Sequence, residues 1–142
     1  MTTHERFLGL DYGSTRIGVA LSDPLGIIAK GLSVVINNAR SISVLEEYIK
    51  KYAISKVVVG MPINLKGEKG QKALEVEEFI GQLIGKTGVE VIRWDERFSS
   101  QSAHRTLIEM GVKKMKRREK GQIDQMAAAI ILQSFLDSRS KT

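Results

Sequence analysis

The chain has 142 residues, the usual length of one domain with a sizeable hydrophobic core. It contains no cysteine, which excludes disulfides, thiol nucleophiles and cysteine-ligated zinc and suits a reducing, cytoplasmic setting. No window approaches the roughly 18 to 20 apolar residues that span a membrane, and the N-terminal stretch lacks the apolar run of a signal peptide. We expect one domain over residues 1–142, with an ordered core over 6–138.

The net charge of +6 is concentrated in one segment. Residues 113–120, KKMKRREK, hold six basic residues and a single glutamate, which accounts for most of the excess. A local cluster of this kind favours a surface that faces a polyanion. The alternative is a solvated loop that aids solubility.

The first third of the chain reads as an antiparallel meander. RFLGLD (6–11) and RIGVALSD (16–23) are predicted strands, joined by a hairpin with Gly13 in its turn. In the second strand, apolar residues alternate with Gly18, Ala20 and a serine, which predicts one small-residue face. Residues 26–36 are a candidate third strand.

The remaining chain alternates helices and strands. Apolar spacing predicts a helix over 44–52, preceded by a capping box of Ser43 and Glu46. Further elements follow in the order strand 56–60, helix 70–86, strand 89–94, helix from Ser99 or Ser100 to Gly111, and helix 121–137. This order predicts an α/β fold with a mixed five-stranded sheet and helices on both faces.

Carboxylates occur at three places that a sheet edge would bring together. Asp11 ends the first strand, Asp95 and Glu96 end the fifth, and Asp124 is predicted in the first turn of the last helix. Taken singly, each has a structural explanation, because aspartate favours turns and acidic side chains stabilise helix N-termini. Active sites of open sheets, however, gather at the carboxyl ends of strands, where these residues would meet.

A cluster of carboxylates needs a positive partner, since like charges repel. Mg²⁺ and Mn²⁺ prefer oxygen ligands and would neutralise such a cluster. Two carboxylate-held ions about 3.5–4 Å apart activate water and stabilise the leaving oxygen in phosphodiester hydrolysis. A basic segment beside the site would bind the phosphate backbone. The residues thus favour a nuclease with two Mg²⁺ or Mn²⁺ ions.

Four blocks of the sequence resemble the signature blocks of the YqgF (RuvX) family of RNase H-like nucleases. The blocks are LGLDYGSTRIGVALSD, VVVGMPINLKG, WDERFSS and IDQMAAAIILQSFLDS, and the resemblance extends over residues 6–138. Members are described both as Holliday junction resolvase-like proteins and as pre-16S rRNA processing nucleases. The resemblance implies an RNase H-like mixed sheet and a divalent metal.

The resemblance also implies the site residues. Asp11, Glu96 and Asp124 correspond to the family's acidic metal ligands, and Asp95 stands beside them as a fourth catalytic candidate. Glu96 ranks above Asp95 because related resolvases use a glutamate from a strand end, although strand alternation leaves the choice open. The candidates for substrate binding are Arg16, Arg97, Lys113, Lys114, Lys116, Arg117 and Arg118.

Several alternatives stay open on the sequence alone. Thr15 stands where many members have lysine, and Phe98-Ser99-Ser100 stands where they have Leu-Thr-Thr. Two substrates are possible: precursor 16S rRNA, within ribosomal precursor particles, or a four-way DNA junction. Symmetric cleavage of a junction would need a homodimer rather than a monomer. A non-catalytic nucleic-acid- or ribosome-binding module is a further reading. An ATPase of the actin and sugar-kinase type would need a second domain that 142 residues cannot supply.

Overall fold

The structure, a computed structural model, describes residues 5–62, 70–98 and 117–139, with side chains described from residue 121 in the last range. The elements are β1 (Phe7–Tyr12), β2 (Arg16–Ser22), β3 (Ala29–Ile36), α1 (Ser41–Lys51), β4 (Lys56–Met61), α2 (Gln71–Thr87), β5 (Glu90–Asp95) and α3 (Arg117–Arg139). They follow the predicted order. The helix expected between Ser99 and Gly111 lies outside the described residues.

The five strands form one mixed sheet with the order β3-β2-β1-β4-β5. β2 is antiparallel to both β1 and β3, whereas β4 is parallel to β1 and β5. The predicted fold class is therefore confirmed. Because β1, β3, β4 and β5 run in one direction and β2 in the other, the carboxyl ends of four strands share one edge with the start of β2.

Helices cover both faces of the sheet, as predicted. On one face, α1 and α2 pack on alternate strand residues, with Leu10, Ile17 and Leu45 fully buried between the layers. On the other face, α3 packs on the intervening residues through side chains such as Ile131 and Leu132. The period-2 alternation of the strands thus separates two hydrophobic layers.

On β2, the face under α3 is made of small residues, which confirms the pattern predicted for this strand. A Cβ atom added at Gly18 would lie 2.1 Å from the backbone oxygen of Asp124, and one at Gly9 would lie 2.7 Å from Cβ of Leu132. Real Cβ atoms essentially never approach neighbours below 3.0 Å. Glycine therefore lets the backbone of α3 come close to the sheet, and this close approach fixes the position of Asp124.

Two local predictions about helix starts are wrong. α1 begins at Ser41, and its N-cap residue Arg40 makes no side-chain capping bond, so Ser43 and Glu46 do not form a capping box. Instead, the carbonyl oxygen of Asn38 accepts hydrogen bonds from the backbone and hydroxyl of Ser41, and the Asn38 side chain accepts one from Arg40 N–H. A polar turn before the helix replaces the cap.

The last helix begins earlier than expected. α3 starts at Arg117 rather than near residue 121, so Asp124 lies two turns inside the helix and not in its first turn. The reading of Asp124 as a side chain that stabilises the helix N-terminus is therefore wrong, because that effect is confined to the first turn. The second half of the basic segment, residues 117–120, is therefore part of this helix rather than of the segment before it.

Candidate functional site

A cavity of about 440 Å³ opens at the sheet edge where β1, β4 and β5 end. Its lining includes three of the predicted acidic residues, Asp11, Glu96 and Asp124, together with the predicted substrate-binding residue Arg16. The complete lining is Asp11, Tyr12, Gly13, Arg16, Pro62, Lys72, Glu96 and Asp124. Residues from β1, β2, α2, the segment after β5 and α3 thus meet in one place, and we call it the carboxylate cavity.

Asp124 is held by Arg16. The Arg16 Nε atom donates a hydrogen bond of 2.7 Å to Oδ2 of Asp124, across 108 residues of sequence. Gly18, two residues along β2, brings the backbone of α3 against the strand at the same point. The aspartate is therefore fixed from both sides, by its own backbone packing and by an ion pair of its carboxylate.

Glu96 follows β5 and turns towards β4. Its backbone N–H donates to the carbonyl of Met61, and its Oε1 would lie 3.1 Å from a Cβ atom added at Gly60. Gly60 lies inside β4 and makes room for this carboxylate. Burial raises the pKa of Glu96; the positive charge of Lys72 opposes this shift, and the charge of Asp95 adds to it.

Asp95 does not line the carboxylate cavity. Its two oxygens accept hydrogen bonds from Nε and Nη2 of Arg97, the shortest of them 2.6 Å, and Oδ1 also accepts one from the Arg97 backbone N–H. These bonds hold the pKa of Asp95 below its ordinary value and raise that of Arg97. The two neighbouring acids therefore have different surroundings. Asp95 is bound by an arginine, whereas Glu96 is half-buried and faces the cavity.

The sequence reasoning missed one charged residue of the cavity, Lys72. It is the second residue of α2, which follows β4 along the chain. A helix that follows a strand begins near the edge where that strand ends, which is the signal that would have indicated its first turn. Lys72 belongs to no sequence motif, so only the order of strands and helices could have predicted that it lines the cavity.

The basic segment lies largely beyond the described residues. Lys113, Lys114 and Lys116 lie outside the described ranges, so their place relative to the carboxylate cavity stays a prediction. Arg117 and Arg118 are the first two residues of α3, with only the backbone described. Asp124 lies about two turns further along the same helix.

The chemistry of the cavity fits a hard divalent cation, because carboxylate oxygens are the ligands that Mg²⁺ and Mn²⁺ prefer. Asp11, Glu96 and Asp124 supply such oxygens to one volume. As these side chains are oriented, no group of three or more acidic or histidine residues within the described ranges is arranged to hold an ion. In this conformation, the positive partner of Asp124 is Arg16.

Comparison with known proteins identifies the family. The family model RuvX, described as Holliday junction resolvase, matches residues 5–138. The chain belongs to the RuvX family. RuvX relatives in Ruminiclostridium cellulolyticum and Halothermothrix orenii, both provisionally named pre-16S rRNA nucleases, are 43% and 44% identical. The matches cover 93% and 96% of this chain and 94% and 97% of those proteins.

Solved structures of two resolvases share the fold of this chain. Thermus thermophilus RuvC in complex with a Holliday junction substrate matches with a TM-score of 0.61 at 18% identity, covering 98% of each chain. The fowlpox virus Holliday junction resolvase matches with a TM-score of 0.54 at 14% identity, over 94% of this chain and 99% of that one. At such identities the likeness concerns the fold. In the described parts of the chain, no helix is long and apolar enough to cross a membrane.

Proposed function

We propose that this protein is a metal-dependent endonuclease that processes the 5′ end of precursor 16S rRNA in ribosome assembly. The observation that carries the proposal is the meeting of Asp11, Glu96 and Asp124 with Arg16 in one cavity of a RuvX-family fold. The relatives provisionally named pre-16S rRNA nucleases support both the hydrolase class and the choice of substrate.

The acidic residues of the cavity and Arg16 have distinct proposed roles. Asp11, Glu96 and Asp124 would hold Mg²⁺ or Mn²⁺, which when bound supplies an activated water and neutralises charge on the leaving oxygen. Arg16 orients the Asp124 carboxylate through its 2.7 Å hydrogen bond and brings a guanidinium to the place where a phosphate would bind. Asp95 and Arg97 hold the turn that directs Glu96 into the cavity.

The wider surface fits a nucleic-acid partner. The basic residues from Lys113 to Lys116 precede α3 in the sequence, Arg117 and Arg118 begin it, and their positive charge would neutralise a phosphate backbone. We propose that residues 1–142 form one nuclease domain that acts in the cytoplasm, on ribosomal precursor particles.

Cleavage of Holliday junctions is the second candidate function. It is favoured by the description of the matching family model and by the fold shared with Thermus thermophilus RuvC. Symmetric cleavage of a four-way junction needs two sites, so this function would require a homodimer. A chain that is monomeric while it cuts RNA would argue against it.

The deciding experiment compares both substrates directly. The protein is incubated with Mg²⁺ or Mn²⁺ and either a precursor 16S rRNA fragment or a four-way DNA junction, and product is measured over time. Asp124→Asn should abolish cleavage of the true substrate. Asp137→Asn, the same change further along α3 and away from the carboxylate cavity, is the matched control and should cleave normally. Equal activity of the two variants would refute the proposed site.

A further inference from the structure

The carboxylate cavity has a cation on each side of the sheet. Arg16 approaches from the α3 face, since its partner Asp124 belongs to α3. Lys72 approaches from the opposite face, because α2 packs there with α1. Both side chains line the cavity that holds Asp11 and Glu96. A phosphate-bearing strand that crossed this sheet edge would meet positive charge on both sides.

The two turns of α2 that follow Lys72 are acidic. Beyond Lys72, the helix carries Glu75, Glu77 and Glu78 within its next two turns. Glu77 forms an ion pair with Arg93, so Glu75 and Glu78 carry the acidic charge of this surface. Glu75 and Glu78 line a separate polar groove of about 270 Å³, and Tyr12 borders both this groove and the carboxylate cavity. Negative charge repels a phosphate backbone. A strand that enters the cavity therefore finds one favourable contact on α2 before the surface becomes acidic.

Building on the proposed nuclease function, we propose that Lys72 binds a backbone phosphate of the nucleic-acid strand next to the phosphate that is cut. The side chain of Lys72 is exposed at the cavity, so a phosphate can reach it without first displacing protein. An ammonium group has three hydrogen-bond donors, so Lys72 can attract the Glu96 carboxylate and still bind a phosphate. The acidic surface beyond it ends the contact after one phosphate and turns the strand away from α2.

The test is the salt dependence of RNA binding. A labelled RNA that contains the boundary between the 5′ leader and the 16S sequence is titrated with full-length protein in EDTA, from 50 to 300 mM salt. Loss of one phosphate contact should lower the slope of log affinity against log salt by about 0.7–0.9. If the curves meet near 1 M salt, Lys72→Met should bind roughly five- to eightfold more weakly at 0.1 M.

Two variants serve as controls. Lys72→Arg keeps the charge and should keep the slope. Lys86→Met removes the same charge from the last turn of the same helix, outside the cavity, and should also keep the slope. An unchanged slope in Lys72→Met overturns the contact, and so does an equal loss in Lys86→Met. A slope that falls only in Lys72→Met supports the contact even if the wild type cuts no substrate, a result that would refute the nuclease proposal instead.

Discussion

Gly18→Ala should displace the helix that carries Asp124. The added Cβ would lie 2.1 Å from the backbone oxygen of Asp124 and 2.7 Å from its carbonyl carbon, whereas ordinary contact begins near 3.4 Å. Both atoms belong to the backbone of α3, which cannot rotate away as a flexible side chain would. The helix must therefore shift by more than an ångström at this point, or β2 must bend.

The shift should affect stability and cleavage together. Overpacking of this kind costs about 1–3 kcal/mol, which corresponds to a fall in melting temperature of roughly 3–9 °C for a chain of this size. A misplacement of about 1 Å in a catalytic group can lower the rate by about 10²-fold. We therefore expect a folded protein with a lower melting temperature and about one hundredth of the wild-type cleavage rate.

The assay pairs thermal melting with initial rates of RNA cleavage. Gly81→Ala is the matched control, because Gly81 lies in α2 with nothing within 4 Å of an added Cβ. Alanine within a helix should raise stability there by about 0.5–1 kcal/mol and leave cleavage unchanged. A Gly18→Ala protein with wild-type melting and wild-type cleavage would refute the reasoning, since it would mean that α3 does not lie against β2.

Three further predictions follow from single residues. Burial raises the pKa of Glu96, so the wild type should lose stability as the pH rises from the ordinary pKa of 4.5 through the raised pKa of the native state. Without metal, Glu96→Gln should therefore melt at a higher temperature than the wild type at pH 8 but not at pH 4. An equal difference in melting temperature at both pH values would contradict this. Asp95→Asn should keep cleavage within a few-fold of wild type while Glu96→Gln loses it, and the reverse ranking in the same assay would exchange their roles. Asp23 accepts hydrogen bonds from the backbone of Ile27 and Ile28, so Asp23→Ala should cost about 1 kcal/mol in urea unfolding and Asp23→Asn less.

Much of the fold was predictable because its signals are local. The alternation of apolar and small residues around Gly18 fixed which face of β2 is close-packed, and helix-period spacing located α2 to within a residue of its observed start at Gln71. Strand ends then placed Asp11 and Glu96 at one edge, since the carboxyl ends of parallel strands lie at the same edge of a sheet. These inferences need only the geometry of single elements and the direction of the strands.

The rest depended on packing between elements. The cavity includes Lys72 because of how α2 lies across the sheet, and no pattern within the helix records that angle. The Arg16–Asp124 pair joins residues 108 positions apart, which no local window can detect. At α1, the predicted box at Ser43 does not form, because the helix begins earlier, where the turn at Asn38 accepts hydrogen bonds from the backbone of Arg40 and Ser41.

The separation of Arg16 and Asp124 also has a consequence for how the protein is made. The cavity combines Asp11, near the start of the chain, with an aspartate that is synthesised more than a hundred residues later. Every growing chain that ends before Asp124 lacks an acidic wall, and the glycine-lined face of its sheet has no helix to cover it. A nuclease built this way would be unable to cut RNA until the segment that carries Asp124 has been synthesised and has packed on the sheet.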